Sequence, residues 1–121
     1  MTYIAARPTT YRGIKMRSRL EAHVASWLDR EPFEGRWQYE PQAFANEHGQ
    51  YLPDFYVDAP NGPMYIEVRP TLERGFLAME RMQIIWDSDP SAILLLLVSE
   101  DGEFGVGLTA TSDDRMWRLV G

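Results

Sequence analysis

The chain has 121 residues, 45% of them apolar and 12% aromatic, which suits one domain with a buried core and excludes a disordered chain. It has no cysteine, so disulfides, thiolate metal sites and cysteine nucleophiles are excluded, and His23 and His48 alone are too few for a histidine-rich zinc site. A net charge of −6 opposes simple electrostatic attraction to nucleic acid, although the charge is unevenly spread.

Residues 1–14 are expected to form a basic, largely irregular arm, broken by Pro8 and Gly13. The first 20 residues hold Arg7, Arg12, Lys15, Arg17 and Arg19 and no acid. Cations gathered just ahead of a helix are suited to follow a nucleic-acid backbone; a solvated basic tail is the structural alternative. Residues 15–121 are then read as a single domain. Leu20, Val24, Trp27 and Leu28 recur at helical spacing and predict an amphipathic helix over 15–30, ended by Pro32 and Gly35. A short strand is expected over 36–40, and an edge strand at Ala43-Phe44 within the connection that follows.

Residues 51–57 and 64–69 read as two short apolar strands joined across Asn61-Gly62, a strong hairpin signal. A turn centred on Asn61-Gly62 would pair Tyr56 with Glu67 and Asp54 with Arg69. Strand side chains alternate faces, so Asp54, Glu67 and Arg69 share one face while Met64, Ile66 and Val68 point to the other, towards a core. Pro70 stops the hairpin. A second helix is predicted over 72–86, with Phe76, Met79, Ile84 and Ile85 available to pack, and Asp87 to Pro90 break it. Ala92 to Val98 is a continuous apolar run, as in a strand buried on both faces, and is far too short to span a bilayer. Asp101-Gly102 should turn into a strand over 103–108, and the end of the chain reads as a docking tail. From Asp87 onward seven acids are opposed only by Arg115 and Arg118. The order of elements predicts an α/β sandwich: a central mixed β-sheet of about 4–5 strands flanked by helices, with a helical crossover to the last long strand. Met1 opens the chain without a charged-then-apolar leader, so a cytoplasmic protein is expected.

Two carboxylates on one face of a hairpin, Asp54 and Glu67, are within reach of a shared ion. Glu21 shares its helix face with Val24, Ala25 and Leu28, where burial without a partner costs several kcal/mol. Either Glu21 pairs with Arg17 one turn earlier, or the helix packs on the hairpin and delivers Glu21 towards Asp54 and Glu67. In the second case three carboxylates need a divalent cation, and all-oxygen coordination favours Mg²⁺ or Mn²⁺. For Arg69, a structural ion pair with Asp54 is the competing account.

Ser18-Arg19-Leu20-Glu21-Ala22, Trp37-Gln38-Tyr39-Glu40-Pro41, Leu52-Pro53-Asp54-Phe55 and Ile66-Glu67-Val68-Arg69-Pro70 together resemble the PD-(D/E)xK nuclease superfamily. Within it, the chain looks like the small phage-type and TnsA-type transposon endonucleases, over roughly residues 15–98. The resemblance implies a restriction-endonuclease-like core that cleaves DNA phosphodiesters with Mg²⁺ or Mn²⁺, in a host cytoplasm where the source is a phage. By motif position Asp54 and Glu67 would be metal ligands, the Val68 carbonyl a third oxygen, and Glu21 an outer or second-metal ligand. A chain this small covers little of a duplex, so a homodimer or a larger nucleoprotein complex is expected. The family's motif lysine is replaced here by Arg69, which stays protonated and cannot act as a base but can clamp a phosphate with its two-pronged guanidinium. Lys15, the only lysine, is an alternative cation if it lies on the helix before Glu21. Arg81 on the second helix is a candidate phosphate contact, and Glu40 a candidate neighbour of the site. Two further readings stay open: a nuclease-fold protein that no longer cuts and serves as a binding or assembly subunit, and an unrelated α/β domain whose acids form surface pairs.

Overall fold

Arg12 and Gly13 both have positive φ, 47° and 81°, as a two-residue hairpin turn of mirror-image type requires. They join β1 (Thr9–Tyr11) to β2 (Ile14–Met16) in the computed structural model, which describes residues 8–99 and 105–120. From Thr9 onward the expected irregular arm is therefore a hairpin, while residues 1–7, Arg7 among them, lie outside the described residues. Lys15 belongs to β2, opposite Thr10, and so is not on the following helix. That helix, α1 (Arg19–Leu28), begins four residues later than its apolar spacing suggested, because Ser18 caps it: the Ser18 hydroxyl accepts the Glu21 N–H at 3.1 Å.

The main sheet has six strands: β3 (Trp37–Tyr39), β6 (Phe55–Ala59), β7 (Gly62–Arg69), β8 (Ile93–Val98), β9 (Val106–Ala110) and β10 (Arg118–Leu119). Their order is β10-β9-β8-β7-β6-β3. Only β7 and β8 are parallel, and the crossover between them carries α2 (Leu72–Met82) and α3 (Ile85–Ser88). The sheet is thus mixed and one strand wider than expected, because Arg118–Leu119 adds an edge strand to β9. The Asp101-Gly102 turn falls outside the described residues. A separate small hairpin, β4 (Phe44–Asn46) with β5 (Gly49–Tyr51), contains the expected edge strand. Among the described residues no helix is long and apolar enough to cross a membrane.

The β6–β7 register differs from the expected one by two residues. Phe55 pairs with Ile66, Tyr56 with Tyr65 and Ala59 with Gly62, so the turn is centred on Pro60-Asn61. Proline's fixed φ favours it at the first central position of a turn, and Gly62 closes the turn at the position after Asn61, with φ 131°. A shift of two preserves facing, since side chains alternate with period two. The pairs Tyr56–Glu67 and Asp54–Arg69 are therefore not formed, and continuing the register by one residue brings Asp54 opposite Glu67 itself.

Apolar clusters lie on both sides of this sheet. Val24, Ala25 and Leu28 of α1 join Phe55, Val57, Ile66 and Val68 in one. Tyr65, Leu94 and Leu96 join Met82, Ile85 and Trp86, with Phe44 and Tyr51 of the small hairpin, in the other. The predicted double burial of the Ala92–Val98 run holds on one side of β8, where Leu94 and Leu96 are 0% exposed, and in part on the other, where Leu95 is buried but Ile93 and Leu97 are half-buried. The expected second helix is two helices, and α2 docks through Gly75, Ala78 and Met82. A Cβ on Gly75 would come within 3.1 Å of Leu96 and Val98, so this small residue lets the helix approach the sheet. Phe76, expected to pack, is turned away and 55% exposed, whereas Ile84 and Ile85 are buried as expected.

Candidate functional site

Asp54 precedes the first residue of β6, and Glu67 and Arg69 lie on the last turn-free stretch of β7 before Pro70. The hairpin brings both acids to one end of the sheet, and both are buried, at 2% and 1% exposed. Asp54 Oδ2 accepts the backbone N–H of Val68 at 2.8 Å, and Nη1 of Arg69 lies 3.7 Å from the same oxygen. The other oxygen, Oδ1, faces Nη2 of Arg17 at 3.7 Å. Glu67 Oε1 accepts the hydroxyl of Tyr51, which arrives from β5. Glu67 Oε2 accepts no well-formed hydrogen bond; its neighbour is Nη1 of Arg69, in ion-pair contact.

Glu21 is buried on α1, and its Oε1 accepts the Tyr39 hydroxyl at 3.1 Å and the Ser18 hydroxyl at 3.4 Å. Tyr39 in turn accepts the backbone N–H of Arg17 at 3.1 Å. The Arg17 side chain leaves Glu21 for Glu40, with Nη2 2.9 Å from Oε2. Glu40 has φ 45° and donates its backbone N–H to the Asp54 carbonyl at 2.8 Å, which ties the end of β3 to the residue that carries the site. A bulky residue in this left-handed region stores a modest strain that the surrounding contacts hold in place.

The electrostatics match the burial. Desolvation, then the charges of Glu67 and Glu21, push Asp54 well above the usual carboxylate range, against the Val68 N–H and Arg69. Desolvation also raises Glu67, opposed by Arg69 and Tyr51. Burial beside Glu67 holds the Tyr51 phenol protonated, and burial pushes Tyr39 up to about 12. A site that takes two carboxylates out of water and sets a third charge near them favours a cation in their midst.

The donor set of Asp54, Glu67 and the Val68 carbonyl consists of hard oxygens, which suit Mg²⁺ or Mn²⁺. As the side chains stand, Nη1 of Arg69 contacts all three groups: it donates to the Val68 carbonyl at 3.0 Å as well as meeting both carboxylates. Among the described residues no three acidic or imidazole side chains are gathered closely enough to hold a metal ion, and Glu21 is turned to Tyr39 and Ser18.

Besides Arg69, among the described residues Arg17 is the one cation of those expected to meet nucleic acid that touches these carboxylates. Arg12 lies 3.4 Å from Asp29, Lys15 and Arg19 are exposed, and Arg81 donates to the Gln50 carbonyl at 2.9 Å. Sequence reasoning missed Tyr51 and Tyr39 as partners of the acids. Tyr39 stands beside Glu40 in the Trp37–Pro41 stretch and was legible as a strand residue; nothing in the spacing of Tyr51 signalled its contact with Glu67. No protein-family model, curated protein or solved structure matches the chain.

Proposed function

We propose that the chain is a divalent-metal-dependent DNA endonuclease with a restriction-endonuclease-like core. The observation that carries this reading is the convergence of Asp54, Glu67 and Arg69, from the two halves of the hairpin motif, with Glu21 of α1 beside them. Surface pairs would not leave Asp54, Glu67 and Glu21 all buried, the first two sharing the Arg69 guanidinium. When bound, Mg²⁺ or Mn²⁺ would activate water and offset charge on the departing oxygen. Asp54 and Glu67 hold the ion, with the Val68 carbonyl; Arg69 and Arg17 present guanidinium groups suited to the scissile phosphate. Glu21 acts one step out, holding Tyr39 and adding negative charge. DNA with branches or ends, met by a homodimer or within a nucleoprotein complex in the cytoplasm, is the substrate and setting that follow.

Nicking of plasmid and branched DNA by the natural chain, Asp54→Asn and Glu67→Gln, with Mg²⁺ or Mn²⁺, tests this directly. Activity that survives intact in both variants ends the proposal. A second reading, a nuclease-fold subunit that binds without cutting, is favoured by the position of Arg69 on the ligand oxygens. Cleavage gained only in Arg69→Lys supports that reading, and cleavage by the natural chain removes it.

A further inference from the structure

We infer that Arg69 is a resident cation, and that its guanidinium and a divalent ion exclude each other from one set of three oxygens. The inference rests on the proposed metal site and specifies how that site is controlled. Nη1 of Arg69 lies 3.0 Å from the Val68 carbonyl and 3.7 Å from Asp54 Oδ2, and is in ion-pair contact with Glu67 Oε2. A magnesium ion sits about 2.1 Å from its oxygen ligands, so an ion bound to these three oxygens would take the lone pairs that nitrogen now faces and set two positive charges against each other. Ion entry therefore requires the side chain to move.

Arg69 has a way out. Its side chain is 32% exposed, whereas those of the acids it serves are 3% and 1% exposed. The fully buried partners stay while the partly exposed arginine swings, and a phosphate at the surface offers the guanidinium a second, two-pronged partner. The arrangement partly offsets the charge of the acid cluster without a metal, and couples metal loading to the arrival of a phosphodiester. Arg17 does not share this role. It faces only Oδ1 of Asp54 and is anchored on Glu40 at 2.9 Å, touching neither the Val68 carbonyl nor Glu67.

The test is Mn²⁺ affinity, by calorimetry and electron paramagnetic resonance, for the full chain without DNA and for Arg69→Ala and Arg17→Ala. Both variants remove one positive charge near Asp54, but only the first opens the position. Arg69→Ala is expected to bind Mn²⁺ at least ~10-fold more tightly than the natural chain, and Arg17→Ala to gain distinctly less. Equal affinity of the natural chain and Arg69→Ala overturns the inference, as does an equal gain in the two variants. Absence of Mn²⁺ binding in every protein overturns the proposed metal-dependent function as well, so the two failures are distinguishable. Should Arg69→Ala fail to fold, the guanidinium nitrogen resonances of Arg69 in the natural chain decide. They are expected to shift and exchange faster with water as Mg²⁺ saturates the site; signals unchanged at saturation overturn the inference.

Discussion

Asp54 accepts the backbone N–H of Val68, so the acid of one motif half is fastened to the strand that carries the other. The carboxylate is held on β7 at a buried hydrogen bond of 2.8 Å, and the strand that positions Glu67 also positions Asp54. This contact needs only an acceptor oxygen; the two arginines facing Asp54 at 3.7 Å need its charge.

Asp54→Asn separates those roles. The amide oxygen still accepts the Val68 N–H, and loss of a buried charge whose ionisation is already disfavoured relieves repulsion from Glu67 and Glu21. Unfolding free energy from urea titration should stay within about 1 kcal/mol of the natural chain, while the proposed metal-dependent nicking should fall at least ~100-fold. A stability loss above about 3 kcal/mol would instead mean that the ion pairs with Arg17 and Arg69 outweigh burial.

Tyr51→Phe keeps the ring in the core and removes the hydroxyl that Glu67 Oε1 accepts. A buried acceptor left without its donor costs about 1–3 kcal/mol, and the denaturation midpoint should fall accordingly. An unchanged midpoint would show that Arg69 or water takes over the freed oxygen.

Gly75→Ala sets two effects against each other. Alanine is favoured over glycine inside a helix by about 1 kcal/mol, while overpacking a filled core costs about 1–3 kcal/mol. The new Cβ would meet Leu96 and Val98 at 3.1 Å, and these are 0% and 1% exposed, with little room to retreat. Overpacking should win by about 1 kcal/mol, read as a lower thermal midpoint.

Acid should weaken the anchoring of the β1–β2 hairpin through Asp29. Burial raises the Asp29 carboxyl, but hydrogen bonds from Tyr11 and Trp37 and the charge of Arg12 outweigh it and hold it below the usual range. A depressed folded pKa contributes stability above the unfolded value of about 4, and that contribution is lost as pH falls through the folded value. The natural chain should therefore lose stability relative to Asp29→Asn below about pH 4, with the gap constant at neutral pH. Parallel acid-denaturation curves for the two proteins would remove Asp29 from the account.

Local periodicity carried much of the fold. The Ala92–Val98 run reads as a doubly buried strand because both of its faces are apolar, and β8 lies near the middle of the sheet. The hairpin survived a wrong turn position: Pro60, not Gly62, takes a central place, yet the two-residue shift left Asp54, Glu67 and Arg69 on one face. Helix edges were less legible. The spacing of Leu20, Val24 and Leu28 says nothing about Lys15, whose place in β2 depends on positive φ at Arg12 and Gly13. Phe76 is exposed although its apolarity suggests burial, because close approach to β8 requires the small side chains of α2, Gly75 and Ala78.

The sequence by itself determined which residue types share a strand face or a helix stripe, and so that Asp54, Glu67 and Glu21 were candidates for one site. Those properties depend on the period of the backbone, which neighbouring residues set. Only the tertiary structure decided what each carboxylate touches. Tyr51 reaches Glu67 from a separate hairpin, Glu21 turns to Tyr39 eighteen residues away, and Arg69 lies upon the Val68 carbonyl and both acids. Such partners are chosen by burial, because a carboxylate taken out of water must find whichever donor the packing of distant segments brings within reach.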